Sequence, residues 1–179
     1  MPDTALVVVD MLNAYEHEDA EPLKRSVREV LPTIAQLVER ADGHDDVALV
    51  YVNDVYGHWN AGRAELVERV LASDARDLVE PIVPPEDAFF IVKARHSIFY
   101  QTPVEYMLRQ QGVSKLVLTG QVTEQCILYS ALDAYIRHIE VAVPRDAVAH
   151  IHEDLAEAAL RMMEINMRAE VVAAAECLR

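Results

Sequence analysis

Residues 5–10 read ALVVVD, five apolar residues in a row followed by the carboxylate of Asp10. A short apolar run rich in β-branched residues predicts a strand that is buried on both faces. Such strands are typical of parallel sheets that helices cover on both sides. Similar runs recur along the chain, at residues 47–53, 89–93, 115–119, 140–143 and 170–173.

The segments between these runs have the apolar spacing of helices. Leu23, Val27 and Leu31 repeat at helical spacing, and Pro32 is expected to kink or restart that helix. Strands that alternate with helices predict an α/β fold, here a three-layer α-β-α Rossmann-like sandwich with a mainly parallel sheet of about six strands. We expect residues 1–179 to form a single domain. The further helices are expected at 66–71, 103–111, 124–138 and 153–166.

Charge and hydropathy exclude several classes of protein. The 179 residues include 16 Lys plus Arg and 30 Asp plus Glu, so the formal net charge is −14. A chain this acidic argues against nucleic acid or an anionic membrane surface as the main partner. No apolar run approaches the roughly 18 residues of a membrane span, and the first residues lack the basic segment of a secretory signal. We therefore expect a cytoplasmic protein that acts on a small molecule.

Several catalytic and nucleotide-binding motifs are missing. The five glycines are too far apart for a dinucleotide fingerprint or a phosphate-binding loop, and no serine lies in G-x-S-x-G. Two cysteines, Cys126 and Cys177, are too few for a disulfide framework or a cysteine-rich zinc site. These absences direct attention to thiol or carboxylate chemistry without a cofactor.

Three chemically active residues follow different predicted strands. Asp10 follows the first strand, Lys93 ends the third, and Cys126 comes shortly after the fourth. Ligands of open parallel sheets bind beyond the carboxyl ends of the strands, so these side chains should meet at one edge. A base, a cation and a thiol gathered there form a plausible nucleophilic site.

The sequence also makes a prediction about the thiol. Cys126 lies in the first turn of a predicted helix, where partial positive charge favours the thiolate. The ammonium of Lys93 favours it further, whereas the carboxylate of Asp10 opposes it. We expect the cationic groups to prevail and lower the pKa of Cys126. The alternative is that Cys126 is a buried residue that acts only as a small hydrophobic side chain. Cys177 follows no predicted helix N-terminus and no cation, so no catalytic role is expected for it.

Four segments resemble one known family. They are the strand that ends at Asp10, KARHSIF at 93–99, LTGQVTEQC at 118–126 and VPRDAVA at 143–149. In this order they are similar to the motifs of the isochorismatase-like superfamily of cysteine hydrolases. That superfamily includes nicotinamidase, N-carbamoylsarcosine amidase and ureidoacrylate amidohydrolase. The resemblance covers most of the chain, from about residue 5 to residue 149.

The resemblance implies a mechanism. Asp10, Lys93 and Cys126 would form the catalytic triad of a cysteine amidohydrolase, with a covalent thioester on Cys126. The backbone N–H groups of Val122 and Cys126 would form the oxyanion hole, and the Gln121–Val122 peptide bond would be cis. The family also implies a homo-oligomer, a dimer or a tetramer.

The resemblance also bears on the substrate and on metal. Nicotinamidases carry a metal-binding Asp-x-His after the second strand, whereas this chain has NDVYGHW at 53–59. We therefore expect that the protein binds no metal and that nicotinamide is not its substrate. Where the family shows D-x-Q-x-x-F, residues 10–15 read DMLNAY. The residues expected to contact substrate are Asn13, Tyr15, Trp59, His96 and Phe99.

Two alternatives to an amidohydrolase remain at this stage. The first is an isochorismatase-type enzyme, which hydrolyses a vinyl ether without a covalent thiol. The second is a non-catalytic binding or regulatory protein that keeps the pocket. The presence of Asp10, Lys93 and Cys126 together favours the cysteine amidohydrolase that cleaves a small amide, carbamoyl or ureido compound.

Overall fold

A parallel sheet of seven strands runs through the part of the chain that the computed structural model describes, residues 2–178. The strand order is β3-β2-β1-β4-β5-β7, and the short β6 pairs with β4. Every pairing is parallel. The strands are β1 (Thr4–Val9), β2 (Val47–Asp54), β3 (Phe89–Lys93), β4 (Lys115–Gln121), β5 (Glu140–Pro144), β6 (Val148–Ala149) and β7 (Glu170–Val172).

Helices connect the strands and cover both faces of the sheet. They are α1 (Ala20–Asp42), α2 (Arg63–Leu71), α3 (Arg76–Val79), α4 (Val104–Gln111), α5 (Leu128–Ile136), α6 (Glu153–Met167) and α7 (Ala174–Cys177). None of the helices within residues 2–178 is long and apolar enough to cross a lipid bilayer. The predicted three-layer α/β architecture with a mainly parallel sheet is confirmed.

The central strand β1 divides the hydrophobic core into two parts. Leu6 and Val8 pack with α1 on one face, whereas Ala5, Val7 and Val9 pack with α4, α5 and α6 on the other. These five side chains are at most 1% exposed. The apolar run at residues 5–9 is continuous because both of its faces are buried.

Several predicted element boundaries differ from the structure. Helix α1 continues through Pro32, which lies on its exposed face, instead of restarting there. The predicted helix at 124–138 begins as a π-helical turn, Thr123–Ile127, and α5 ends at Ile136. Strand β6 was missed because two residues are too few to show a hydrophobic period.

Gly120 lets β4 approach β1 more closely than any other residue could. It has a φ of +107°, and a Cβ atom there would overlap the carbonyl oxygen of Val9 and lie 2.9 Å from its nitrogen. Both the left-handed backbone and the contact with main-chain atoms therefore require glycine. Gly112, which ends α4 with a φ of +76°, has no atom within 4 Å of such a Cβ.

We expect Gly120→Ala to lower the free energy of unfolding by about 3 kcal/mol or more, because strain and overlap add. Gly112→Ala is the matched control and should cost only about 1–2 kcal/mol, since it meets strain alone. Chemical denaturation followed by circular dichroism measures both values. Equal losses in the two variants would contradict the close approach of β4 to β1.

Candidate active site

Asp10, Lys93 and Cys126 meet at the carboxyl edge of the sheet. The Nζ atom of Lys93 lies 2.7 Å from Oδ2 of Asp10 and 3.7 Å from Sγ of Cys126. The carboxylate of Asp10 lies near enough to the thiol of Cys126 to raise the thiol pKa. The structure thus brings together the three residues that the sequence singles out.

Asp10 is held by two hydrogen bonds to the neighbouring strand β2. It is the residue directly after β1, and its φ of +56° places it in the left-handed region. Its N–H donates to the carbonyl of Val52 at 3.0 Å, and its Oδ1 accepts the N–H of Asp54 at 2.7 Å. Burial raises the pKa of Asp10, although the adjacent ammonium of Lys93 acts in the opposite direction.

Lys93 supplies the positive charge of the cluster. Its side chain has no exposed surface, and it lies at the end of β3. A second carboxylate, Oδ2 of Asp54, lies 3.8 Å from Nζ. Burial by itself lowers the pKa of Lys93, but Asp10 and the other acidic neighbours raise it above its ordinary value. Lys93 therefore stays an ammonium ion.

Cys126 lies in the π-helical turn that follows β4, and it is buried. Burial and the carboxylate of Asp10 raise the pKa of the Cys126 thiol; Lys93 and the N–H of Val122 act in the opposite direction. The expectation of a lowered thiol pKa is therefore wrong. Loss of hydration and one adjacent carboxylate outweigh the cation and the backbone dipoles, so the resting thiol is neutral.

The turn before Cys126 contains the backbone groups singled out by the resemblance. The Gln121–Val122 peptide bond is cis, which confirms that expectation. The N–H of Val122 points to the Cys126 sulfur, and its carbonyl accepts the N–H groups of Gln125 and Ile127.

His96 is the one residue predicted to contact substrate that also contacts the thiol. Its Nδ1 atom lies 3.7 Å from the sulfur of Cys126. Its ring also packs against Tyr129 of α5, with 5.3 Å between the ring centroids. His96 is exposed, so it lies between the buried sulfur and solvent.

The other predicted contact residues have different surroundings. Tyr15 is buried and its hydroxyl donates to Gln121. Phe99 belongs to the hydrophobic core, beneath the guanidinium of Arg137. Trp59 is 72% exposed and lines a surface depression formed by residues 57–61 and 65. Tyr15 and Phe99 therefore pack inside the protein, whereas Trp59 lies at its surface.

Asn13 lines a cavity of about 340 Å³, whereas Asp10, Lys93 and Cys126 are not among its lining residues. The Oδ1 atom of Asn13 accepts the N–H of Tyr15, which leaves its amide N–H groups for another partner. Tyr56 lines the cavity too, and its hydroxyl donates to the carbonyl of Asp10 at 3.2 Å. The wall also includes three buried apolar residues and two charged residues, namely Leu12, Leu66, Val70, Glu16 and Arg69.

Sequence reasoning missed several residues that support the site. Asp54 contacts both Asp10 and Lys93, and its position at the end of β2 could have revealed it. Glu124 is buried, and its Oε1 accepts the N–H groups of Ile151 and His152, while Oε2 has no partner. Nothing in the sequence could show that contact, because it joins residues 27 and 28 positions apart.

Within residues 2–178, no three histidine, cysteine, aspartate or glutamate side chains are grouped as metal ligands. His58, which the sequence places too far from the second strand for an Asp-x-His site, lines the cavity of about 340 Å³. The expectation that the protein needs no metal stays a prediction.

The fold and the edge cluster define an α/β protein whose functional groups lie beyond the carboxyl ends of parallel strands. The family model of the isochorismatase domain matches residues 4–176. The chain therefore belongs to the isochorismatase family, whose members include hydrolases.

Several known proteins are similar over most of their length. An uncharacterised isochorismatase family protein of Bacillus subtilis, YaaI, is 32% identical over 169 residues, 94% of this chain and 93% of its own. A probable inactive nicotinamidase of Arabidopsis thaliana is 30% identical, covering 82% of this chain and 81% of its own. The ureidoacrylate amidohydrolase RutB of a Methylorubrum extorquens strain is 31% identical, and the match covers 90% of this chain and 76% of RutB.

A solved structure shows the same fold. The isochorismatase-like hydrolase of Alkaliphilus metalliredigens has a TM-score of 0.78 and 25% sequence identity. The match covers 98% of this chain and 94% of that chain. The order of strands and helices described above is thus that of an isochorismatase-like hydrolase.

We expect Asp10→Asn to lower the pKa of the Cys126 thiol. The substitution removes the carboxylate that raises this pKa and leaves the ammonium of Lys93 facing the sulfur. The ultraviolet absorbance of the thiolate, measured against pH, gives the value. The same titration of Asp10→Asn/Cys126→Ala provides the baseline, because Cys177 remains in both proteins. An unchanged or higher thiol pKa would contradict the contact between Asp10 and Cys126.

Proposed function

We propose that this protein is a cysteine amidohydrolase that cleaves a small amide, carbamoyl or ureido compound through a covalent thioester on Cys126. One observation carries the proposal. A buried thiol lies 3.7 Å from an ammonium group, and a carboxylate lies 2.7 Å from the same ammonium. A nucleophile, a base and a cation in contact meet the geometric demands of covalent catalysis.

In the first half of the proposed reaction, Asp10 removes the proton of the Cys126 thiol. The sulfur then attacks the carbonyl carbon of the substrate, and Lys93 stabilises the negative charge near the sulfur. The N–H groups of Val122 and Cys126 hold the oxygen of the tetrahedral intermediate; one such donor typically contributes about 3–4 kcal/mol. Asp10 returns the proton to the nitrogen, the carbon–nitrogen bond breaks, and ammonia or an amine leaves.

The second half of the proposed reaction releases the acyl group. Asp10 removes a proton from a water molecule, and the resulting hydroxide adds to the thioester carbonyl. The carbon–sulfur bond breaks, the sulfur regains the proton from Asp10, and a carboxylic or carbamic acid departs. The neutral resting thiol fits this scheme, because the base that activates it is already in contact with it.

The proposed substrate is a small molecule, and two observations support this. The cavity lined by Asn13 and Tyr56 has a volume of about 340 Å³, and the hydroxyl of Tyr56 bonds to the carbonyl of Asp10. The amide N–H groups of Asn13 offer hydrogen bonds to a carbonyl or carboxylate there. The similarity to a ureidoacrylate amidohydrolase supports the carbamoyl and ureido classes. Roles for Trp59 and Phe99 in binding substrate, a homo-oligomer and a cytoplasmic location stay predictions.

We expect Cys126→Ala to abolish release of ammonia from amide, carbamoyl and ureido compounds, with a loss of about a thousandfold or more. Cys177→Ala should retain activity, because Cys177 is buried in the hydrophobic core that includes α1, where its thiol donates to the carbonyl of Ala174. The assay measures ammonia or amine release and is repeated with a strong chelator, which should not inhibit. Full activity in Cys126→Ala would exclude a thioester, and activity lost with the chelator would contradict metal independence.

The alternatives from the sequence lead to different results in the same assay. Hydrolysis of a vinyl ether that persists in Cys126→Ala would identify an isochorismatase-type reaction. Binding of the test compounds without turnover by the wild-type protein would identify a non-catalytic member, as the similarity to a probable inactive nicotinamidase makes worth testing.

Activity should fall at acid pH, because protonated Asp10 cannot accept the thiol proton. Burial raises the pKa of Asp10, so the fall is expected above the pH at which an ordinary aspartate titrates. Lys93→Met removes the cation that opposes this rise, and the residual activity should therefore fall at a still higher pH. Lys115→Met is the control, because it removes a partly exposed ion pair with Glu170. It should leave unchanged the pH at which activity falls to half on the acid side.

A further inference from the structure

The side chain of Gln121 joins two distant parts of the site. Its amide nitrogen donates to the main-chain carbonyl of Asp10 at 2.6 Å, and its amide oxygen accepts the hydroxyl of Tyr15 at 3.2 Å. Gln121 is 1% exposed, so both bonds are shielded from water. The reaction proposed above gives this side chain no role.

The two partners of Gln121 have the same unusual backbone conformation. Asp10 has a φ of +56° and Tyr15 a φ of +55°. This left-handed region is unfavourable for residues with a Cβ atom, and it persists only where surrounding bonds hold the backbone in place. The amide group of Gln121 therefore lies where the loop after β1 most needs support.

We propose that Gln121 is a positioning residue for hydrolysis, which holds the backbone of Asp10 so that its carboxylate faces Lys93 and Cys126. The inference rests on the proposed function of Asp10 as the base. A rotation of the backbone at Asp10 moves its carbonyl and its carboxylate together, so a bond to the carbonyl restrains the carboxylate. The other side chain that donates to this carbonyl, Tyr56, is 41% exposed and makes the longer bond of 3.2 Å.

The position of Gln121 in the chain adds a second consequence. Gln121 is followed directly by Val122, whose N–H faces the Cys126 sulfur. The side chain of Gln121 thus holds the base, while its main chain leads into the proposed oxyanion donor. The distance between the base and that donor is set by one residue at the end of β4.

The test begins with Gln121→Met, which keeps the length of the side chain and removes both hydrogen bonds. We expect kcat to fall about tenfold to hundredfold, because small displacements of a catalytic group are costly. KM should change little, since Gln121 is buried and both ends of its amide group are hydrogen-bonded within the protein. The pKa of the Cys126 thiol is measured in the same variant without substrate. It should fall, as in Asp10→Asn, because the carboxylate of Asp10 that raises it is no longer held near the sulfur.

Two further proteins separate positioning from stability. Thr119→Val is the matched control, because Thr119 is also a buried residue of β4 and donates to the carbonyl of Ala147 at 2.5 Å. It should lower the free energy of unfolding while kcat and the thiol pKa stay unchanged. The double variant Gln121→Met/Tyr15→Phe also removes the Tyr15 hydroxyl that Gln121→Met leaves without an acceptor. Its free energy of unfolding should therefore be higher than that of Gln121→Met. Its kcat and thiol pKa should stay as low as in Gln121→Met.

The outcomes decide the role of Gln121. Unchanged kcat and thiol pKa in Gln121→Met would overturn it, and so would recovery of kcat in the double variant. If no protein in the series, wild type included, releases ammonia or an amine, the proposed function fails. In that case the thiol pKa still decides: a fall in Gln121→Met but not in Thr119→Val supports positioning of Asp10, and equal values overturn it.

Discussion

The ion pair between Lys93 and Asp10 spans strand β2, because β1 and β3 both adjoin β2 and not each other. Both side chains are buried, and burial of each charge costs several kcal/mol unless other groups compensate it. Asp54, at the end of β2, supplies that compensation with its N–H to Asp10 and its carboxylate 3.8 Å from Lys93. Loss of either charge would leave the other unpaired, at a cost of about 3–5 kcal/mol.

This ion pair also governs the chemistry of the thiol. A carboxylate that is already paired with an ammonium can approach Cys126 without leaving a net charge uncompensated in the core. The same carboxylate and the lack of water raise the pKa of Cys126, so the sulfur is stored as a thiol and not as a thiolate. In the proposed reaction, activation depends on proton transfer from Cys126 to Asp10, which requires the position of Asp10 to be well defined. Its left-handed backbone and its bonds to Val52, Asp54 and Gln121 provide that definition.

Most of the fold could be predicted because buried parallel strands are continuous apolar runs. The run at residues 5–9 shows this, since its side chains alternate between two separate cores. Prediction failed where local preference was overruled or the signal was short. Pro32 did not end α1, because it lies on the exposed face of a helix whose buried face holds it to the sheet. The two residues of β6 pair with Gly120 and Gln121 only because the chain after β5 returns to β4.

The sequence by itself determined six of the seven strands described, their parallel arrangement and the presence of Asp10, Lys93 and Cys126 at one edge. Apolar runs mark the buried strands, and a helix between two strands indicates a parallel crossover, so these features can be inferred from local patterns. Only the tertiary structure decided which groups surround them. Gln121 and Asp10 are 111 positions apart, and no local pattern encodes their hydrogen bond. The direction of the thiol pKa was decided in the same way, since it depends on how completely Cys126 loses water and on which charge lies nearest. Burial and distance are properties of the folded chain.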